Sequence, residues 1–160
     1  MKLFEAISNK PIVIVMGKMC SGKGTYCAPY TKNGYHHIGA SSIVKKLTGL
    51  SDRKDLQDTK HLEIEIGDEI IRQVGKHDRV IIDGIRQVEI VDRLVDEIGD
   101  ENIEMVWLDV PDNVRQARYE TRGDARDTET FDDAAARDVK LGVDAVESKY
   151  RKRSNIVKHY

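Results

Sequence analysis

Short apolar runs alternate along the chain with longer segments in which apolar residues recur every three or four positions. The apolar runs predict β-strands at 11–16, 35–38, 79–84, 103–110 and 154–160. The longer segments predict helices at 24–31, 43–47, 87–98, 112–121 and 131–148, with one or two more helices inside 51–74. Because strands alternate with helices, we expect an α/β fold in which helices cover both faces of a parallel sheet.

The first predicted strand leads into a glycine-bracketed turn that carries a lysine. Gly17 and Gly22-Lys23 have the spacing of a P-loop, in which backbone N–H groups and a helix N-terminus bind a phosphate chain. Gly24 stands where Ser or Thr usually follows the lysine, and Thr25 comes one position later. The alternative is an ordinary glycine-rich turn, but the position directly after a Val/Ile strand favours a phosphate-binding loop.

We expect a three-layer α/β/α P-loop NTPase fold with five parallel strands in the order 2-3-1-4-5, the arrangement that the family resemblance described below implies. We expect ATP to bind the loop, with Lys23 supplying a point charge to the β- and γ-phosphates. The predicted ATP-binding residues are Gly17, Lys18, Cys20, Ser21, Gly22, Lys23, Gly24 and Thr25.

Ligands of an open parallel sheet bind beyond the carboxyl ends of its strands. Asp83 ends the third strand, and we expect its carboxylate in a Mg²⁺ shell through water, together with Thr25. A helix cap or a salt-bridge partner is the alternative role for Asp83. After the second strand, Ser41 or Ser42 can cap the next helix. The predicted acceptor-binding residues are Ser41, Ser42, Lys45, Arg53, Asp83, Gly84 and Arg86.

The positively charged residues of the acceptor-binding set are expected there because of the charge of the acceptor. A phosphoryl acceptor that is itself a phosphate needs positive charge against like-charge repulsion, and Lys45 and Arg86 are the candidate clamps. Arg115, Arg118 and Arg122 share one face of the predicted helix 112–121 and its end, just before a polar loop. A solvated helix face is the alternative to a lid whose arginines close over the transferred phosphoryl group. The predicted catalytic residues are Lys23, Arg86, Arg118, Arg122 and Arg137.

Composition and charge narrow the function classes. A chain of 160 residues has the length of a single domain. Its 26 basic and 28 acidic residues give a net charge of −2, so the overall charge does not favour binding to nucleic acid or to anionic membranes. The longest apolar stretch, 11–16, is too short to cross a bilayer, and the N-terminus lacks the apolar core of a signal peptide. We expect a cytoplasmic monomer or homodimer that binds small-molecule nucleotides.

The cysteines and histidines predict no metal site. Cys20 and Cys27 are the two cysteines, most simply reduced thiols, and Cys20 is either a small loop filler or an oxidation-sensitive thiol. His36 and His37 are neighbours on a strand, so they point to opposite faces and cannot both reach one ion. The remaining histidines are scattered, and no metal-ligand cluster or Ser-His-Asp set is evident.

Taken together, these residues resemble the nucleoside monophosphate kinase family, of which adenylate kinase is the familiar member. Gly-Lys-Gly-Thr at 22–25 is similar to its phosphate loop, 34–45 to its second strand and nucleotide-binding helix, and Asp-Gly-Ile-Arg at 83–86 to its Asp-Gly-Phe-Pro-Arg. Residues 108–112, with Arg118 and Arg122 after them, resemble the entry to its lid. The resemblance implies one P-loop kinase domain over 1–160, with a nucleotide-acceptor segment at about 39–75 and a short lid at about 112–138.

The departures from this family leave the acceptor open. Ser41-Ser42 replaces the usual Gly-Asp, Lys45 replaces an arginine, and 83–86 lacks the proline. These features look more like small archaeal, bacterial or phage relatives, including dephospho-coenzyme A kinase-like proteins and deoxynucleoside monophosphate kinases. We predict transfer of the γ-phosphoryl group of ATP, with Mg²⁺, to a nucleoside monophosphate. A kinase for a small-metabolite hydroxyl is the nearest alternative, and a nucleotide-binding switch without transfer is the alternative from another class.

Overall fold

A computed structural model describes residues 8–49, 62–122 and 129–159 and contains one five-stranded sheet. Its strands are β1 (Ile12–Met16), β2 (His36–Gly39), β3 (Val80–Asp83), β4 (Ile103–Asp109) and β5 (Asn155–Lys158). Every pairing is parallel, and the spatial order is β2-β3-β1-β4-β5. The predicted α/β fold with strand order 2-3-1-4-5 is therefore confirmed.

Seven helices connect and cover the strands in the described part of the chain. They are α1 (Lys23–Lys32), α2 (Ala40–Thr48), α3 (Glu63–Val74), α4 (Val88–Ile98), α5 (Asp112–Arg122), α6 (Phe131–Leu141) and α7 (Val143–Tyr150). No helix among the described residues is long and apolar enough to cross a membrane.

Alternate residues of the central strand serve the two faces of the sheet. Ile12, Ile14 and Met16 of β1 join a core with apolar residues of α2, α3, α4 and α7. Val13 and Val15 point the other way and pack with buried residues of α1. Both faces of β1 are thus removed from water, which is why this strand is a continuous apolar run instead of an alternating one.

The register of the central strands sets where the site forms. Val15 of β1 and Gly39 of β2 both lie opposite Asp83 of β3. The carboxyl ends of these three strands are therefore level, and the segments that follow them start from the same edge of the sheet.

One predicted helix is wrong in its extent. The helix expected at 131–148 is divided into α6 and α7 at Gly142, which adopts a φ of 113° and serves as C-cap of one helix and N-cap of the next. A Cβ atom at Gly142 would lie 2.7 Å from the backbone oxygen of Arg86. The apolar periodicity continues through this position, so the break comes from a positive φ and a close backbone contact that the periodicity does not encode.

The start of α2 also differs from the expectation. Its N-cap is Gly39, with no side-chain cap hydrogen bond, so Ser41 and Ser42 lie within the first turn and do not cap the helix. Most of the predicted polar lid loop and the first part of the segment predicted for 51–74 lie outside the described residues.

The break at Gly142 predicts a stability effect. Gly142→Ala should destabilise the protein by about 1–3 kcal/mol, because alanine is strained at this φ and its methyl group meets a backbone oxygen that cannot move freely. Gly75→Ala is the matched control, since Gly75 has a helical φ of −67° and a Cβ atom there would lie 3.6 Å from its nearest neighbours. Urea unfolding followed by circular dichroism measures both, and equal effects of the two substitutions would contradict the account.

Candidate active site

The loop between β1 and α1 is held in a shape that only particular residues tolerate. Gly22, the N-cap of α1, has a φ of 85°, and a Cβ there would lie 2.6 Å from the ring of His159. Cys20 also adopts a positive φ, 59°. This left-handed backbone opens the loop toward the N-terminus of α1, where unpaired N–H groups and the helix dipole favour an anion.

Lys23 begins α1 and folds back over the loop. Its Nζ donates hydrogen bonds to the backbone oxygens of Gly17, at 3.2 Å, and Lys18, at 2.9 Å, and to the Ser21 hydroxyl, at 3.3 Å. Burial, followed by the charge of Arg86, lowers the pKa of Lys23 to about 8, although nearby carboxylates act in the opposite direction. The ammonium is thus poorly solvated, and a phosphate would be a strong replacement partner.

Asp83, at the end of β3, is engaged by two side chains from other elements. His37 Nε2 lies 2.6 Å from Asp83 Oδ2, and the Cys27 thiol lies 3.5 Å from the same oxygen. Burial alone would raise the pKa of Asp83, but the His37 hydrogen bond and the charges of His37 and Lys23 lower it. The same hydrogen bond raises the pKa of His37. Asp83 is therefore kept as a carboxylate.

Asp138 of α6 joins two other parts of the site. Its Oδ2 accepts a hydrogen bond from the backbone N–H of Met19 in the phosphate loop, at 2.9 Å, and its Oδ1 pairs with Arg86 Nε. Arg86 Nη1 also donates to the backbone oxygen of Gly84, at 2.7 Å. Burial would raise the pKa of Asp138, but the charges of Arg86 and Lys23 lower it, so the carboxylate is ionised although only 5% exposed.

The arginines of α5 and α6 approach the loop from the other side. Arg118 donates to the backbone oxygens of Cys20, at 3.3 Å, and of His159, at 2.6 Å. Arg122 lies with its guanidinium 5.1 Å from the centre of the Tyr119 ring. Arg137 pairs with Glu129. Arg115, which shares the predicted face, is instead buried, bonds the Met19 carbonyl and does not line the cavity.

These groups surround a cavity of about 570 Å³ at the carboxyl edge of the sheet. Five cationic side chains line it, from Lys23, Arg86, Arg118, Arg122 and Arg137, against the carboxylates of Asp83 and Asp138. The whole chain carries a net charge of −2, so positive charge is concentrated here. Such a cavity suits an anionic ligand with several phosphate oxygens.

Most predicted site residues lie on the wall of this cavity. Those that do are Cys20, Ser21, Gly22, Lys23, Gly24, Ser41, Ser42, Asp83, Gly84, Arg86, Arg118, Arg122 and Arg137. Gly17 and Lys18 bound the loop without lining the cavity, Thr25 is exposed on α1, and Lys45 is half-buried on α2 outside the cavity wall. Arg53 lies outside the described residues. The binding roles of all these residues stay predictions.

Sequence reasoning missed three polar residues of the wall, His37, Gln87 and Asp138. The sequence contains a signal for Asp138, because it recurs at helical spacing with Ala134 and Leu141 on the buried face of α6. A charged residue on a buried face needs a partner. No metal-ligand cluster is evident in the sequence, but the structure brings three potential ligand residues together. Cys27, His37 and Asp83 bring one donor atom each within 4.8 Å of one another, although they lie far apart in sequence.

The site fits Mg²⁺ in part. Asp83 offers the carboxylate oxygen that this ion prefers, at the edge of the cavity that also holds Lys23. Thr25, the other expected Mg²⁺ residue, does not line the cavity. Of the two, only Asp83 lines the cavity, and its role toward Mg²⁺ stays a prediction.

Comparison with known proteins gives sequence relatives over most of the chain. Residues 13–139 match the family model AAA_18, described as an AAA domain. A UPF0200 protein of Thermococcus kodakarensis is 30% identical over 143 residues, which cover 81% of this chain and 77% of that protein. A UPF0200 protein of Thermococcus gammatolerans is 28% identical over 143 residues, which cover 81% of this chain and 75% of that protein.

Solved structures of small-molecule kinases share the fold. Shikimate kinase from Acinetobacter baumannii, in complex with shikimate, superposes with a TM-score of 0.64 at 14% identity, covering 98% of this chain and 87% of that one. A gluconokinase from Sinorhizobium meliloti gives a TM-score of 0.62 at 17% identity, covering 95% and 85%. At these identities the likeness shows the fold alone, which is that of P-loop kinases.

The charges around Lys23 predict how its ionisation responds to substitution. Arg86→Gln should raise the pKa of Lys23 above about 8, because a neighbouring positive charge is removed, whereas Asp138→Asn should lower it further, because a neighbouring negative charge is removed. The ¹³Cε resonance of Lys23, assigned with Lys23→Met, reports the titration. Shifts in the same direction in both variants would contradict this electrostatic arrangement.

Proposed function

The chain belongs to the AAA_18 family of AAA domains and to the UPF0200 proteins, and we propose that it is an ATP-dependent phosphotransferase that phosphorylates a nucleoside monophosphate. The observation that carries the proposal is the cavity whose wall contains a P-loop lysine, four arginines and the Asp83 carboxylate. A site for one triphosphate alone does not require cations from the β3–α4 segment as well as from α5 and α6. A site for a second anionic substrate requires more positive charge, because the phosphate of that substrate must approach the phosphate of the donor.

In this proposal the donor binds on the loop. The backbone N–H groups before α1 and the Lys23 ammonium hold the β- and γ-phosphates of ATP, and Lys23 exchanges its present loop-oxygen partners for phosphate oxygens. Mg²⁺, held through water by Asp83, supplies charge neutralisation at the donor phosphates when bound. Arg118 donates to the backbone oxygen of Cys20 in the loop, a contact that supports a role for its guanidinium toward the same phosphates.

The acceptor binds between α2 and the β3–α4 segment. Arg86, fixed by Asp138 and by the carbonyl of Gly84, presents its guanidinium to the cavity, where it would hold the acceptor phosphate. The cavity wall also contains the apolar side chains of Val44, Ile66 and Leu141, a surface suited to a nucleobase. Positioning and charge stabilisation carry most of the catalysis of phosphoryl transfer, so a phosphate acceptor needs no general base.

A second candidate function is phosphorylation of a hydroxyl group on a small metabolite. The observation that favours it is the His37–Asp83 pair, a carboxylate kept ionised in the cavity and able to accept a hydroxyl proton. Dephospho-coenzyme A is such an acceptor. The two kinases of similar fold described above are named for hydroxyl-bearing substrates, shikimate and gluconate.

Lys23→Met should lower kcat/KM for phosphoryl transfer by about 10²–10³-fold, since it removes a cation aimed at the transferred charge. Lys76→Met, at an exposed lysine in the turn after α3, is the matched control and should leave the rate unchanged. Release of ADP in a coupled assay measures both. An unimpaired Lys23→Met enzyme would show that the loop does not serve the transfer.

The acceptor class is tested by incubating the protein with labelled ATP, Mg²⁺ and a panel of ribo- and deoxynucleoside monophosphates, dephospho-coenzyme A, shikimate and gluconate. We expect a nucleoside diphosphate, whose phosphoanhydride is distinguished by ³¹P NMR from a phosphate monoester. Formation of a monoester alone would replace the nucleotide proposal with the hydroxyl-kinase candidate. Tight ATP binding without transfer to any acceptor would overturn both and favour a switch.

A further inference from the structure

Cys27, His37 and Asp83 form a cluster of which only Asp83 has a role in the proposed phosphorylation of a nucleoside monophosphate. They come from α1, β2 and β3, and the Cys27 sulfur, a His37 ring nitrogen and an Asp83 carboxylate oxygen all lie within 4.8 Å of one another. We propose that these three side chains form a binding site for a thiophilic divalent transition-metal ion, of which Zn²⁺ is the representative. The proposal rests on this geometry and is independent of the proposed phosphotransferase activity.

One of the donor-atom spacings already matches that of a tetrahedral site. Ligand atoms of tetrahedral Zn²⁺ lie about 3.3–3.6 Å apart, given bonds of about 2.3 Å to sulfur and about 2.0–2.1 Å to nitrogen. The Cys27 sulfur and the Asp83 oxygen already lie 3.5 Å apart. The His37 nitrogen lies 2.6 Å from that oxygen, so the ring must retreat by less than about 1 Å. The His37 side chain is 40% exposed, and the Cys27 sulfur lies within 4.8 Å of its ring nitrogen.

The donor set selects the class of metal. A thiolate and an imidazole are poor ligands for Mg²⁺, which prefers oxygen, and good ligands for Zn²⁺ or Co²⁺. This site shares Asp83 with the proposed water-mediated Mg²⁺ role and differs from it in the class of metal and in binding the carboxylate oxygen directly. A coordinating metal deprotonates a thiol outright, so the thiol–carboxylate hydrogen bond is replaced by two metal bonds.

The charge around the cluster permits a cation. Lys23 is a cationic group whose field reaches both Cys27 and Asp83. A divalent ion bound by one thiolate, one carboxylate and one neutral imidazole gives a neutral cluster, whereas the metal-free thiol, carboxylate and imidazole carry one negative charge. Because the Cys27 thiol releases its proton, binding raises the charge beside the Lys23 ammonium by one unit instead of two. The Lys23 Nζ is also turned toward the oxygens of Gly17 and Lys18, as its hydrogen bonds show.

The cluster leaves one coordination position toward the cavity. His37 and Asp83 line the cavity, whereas Cys27 is 2% exposed and lies behind them. A tetrahedral ion with three protein ligands keeps its fourth position for water or an oxygen of a small molecule. An ion bound here would therefore face the same space as the substrates and would engage Asp83 directly.

Titration of the whole, reduced protein with Co²⁺ tests the proposal, because this ion reports its ligands in its absorption spectrum. We expect one equivalent to bind, with visible bands of tetrahedral intensity and a near-ultraviolet sulfur-to-cobalt charge-transfer band, all removed by added Zn²⁺. Co²⁺ binding without a charge-transfer band would overturn the assignment of Cys27 as a ligand. Absence of any band at millimolar Co²⁺ would overturn the site.

Matched variants assign the ligands. Cys27→Ser should abolish the charge-transfer band, whereas Cys20→Ser, which changes the other cysteine, should retain it. His37→Gln should weaken Co²⁺ binding at least tenfold, whereas His36→Gln should not, because His36 bonds Gln73 and stacks on His77 away from the cluster.

Circular dichroism verifies that each variant is folded. Should Cys27→Ser fail to fold, His37→Gln decides the question, because its side chain is partly exposed. Loss of the band in Cys20→Ser, or unchanged Co²⁺ affinity in folded His37→Gln, would contradict the proposal.

Discussion

The buried carboxylate of Asp138 holds together the parts of the site that the chain supplies separately. An ionised group removed from water is costly unless it is paired and hydrogen-bonded, so its partners are constrained as strongly as the carboxylate itself. Those partners are the backbone N–H of Met19, in the phosphate loop, and the guanidinium of Arg86, after β3. The position of α6 therefore determines the shape of the loop and the direction of Arg86 at the same time.

A second contact at the end of α6 strengthens this coupling. Gly142 brings the turn between α6 and α7 against the backbone of Arg86, so close that a side chain at Gly142 would collide with the Arg86 carbonyl. Arg86 is thus held through its side chain by Asp138 and through its backbone by the helix break. A guanidinium fixed in this way would lose little further freedom on binding an anion, so the arrangement is a preorganised one.

The electrostatic design of the cavity follows from the same arrangement. Positive charge from α1, the β3–α4 segment, α5 and α6 converges on one space, in a chain that carries a slight negative charge overall. The charge of Arg86 and the burial of the site destabilise the Lys23 ammonium, and Asp138 and Asp83 offset this only in part. An incoming polyanion relieves that imbalance, so binding energy is available from charges that the folded protein already holds in place.

The sequence alone determined the strands, the helices and the phosphate loop, because apolar runs, helical periodicity and the glycine spacing are local properties. The strand order was predicted correctly from the resemblance to P-loop kinases, since no local pattern contains it. The sequence also led to Asp83 and Arg86, since residues that end parallel strands meet at one edge. Tertiary structure alone decided which side chains touch. Asp138 reaches the loop across 119 positions, and Cys27 meets His37 and Asp83 because three elements are packed together. The division at Gly142 likewise depends on a contact with Arg86 that no local pattern contains. The same limit applies to Lys45, which does not line the cavity although its position in the sequence favoured the opposite.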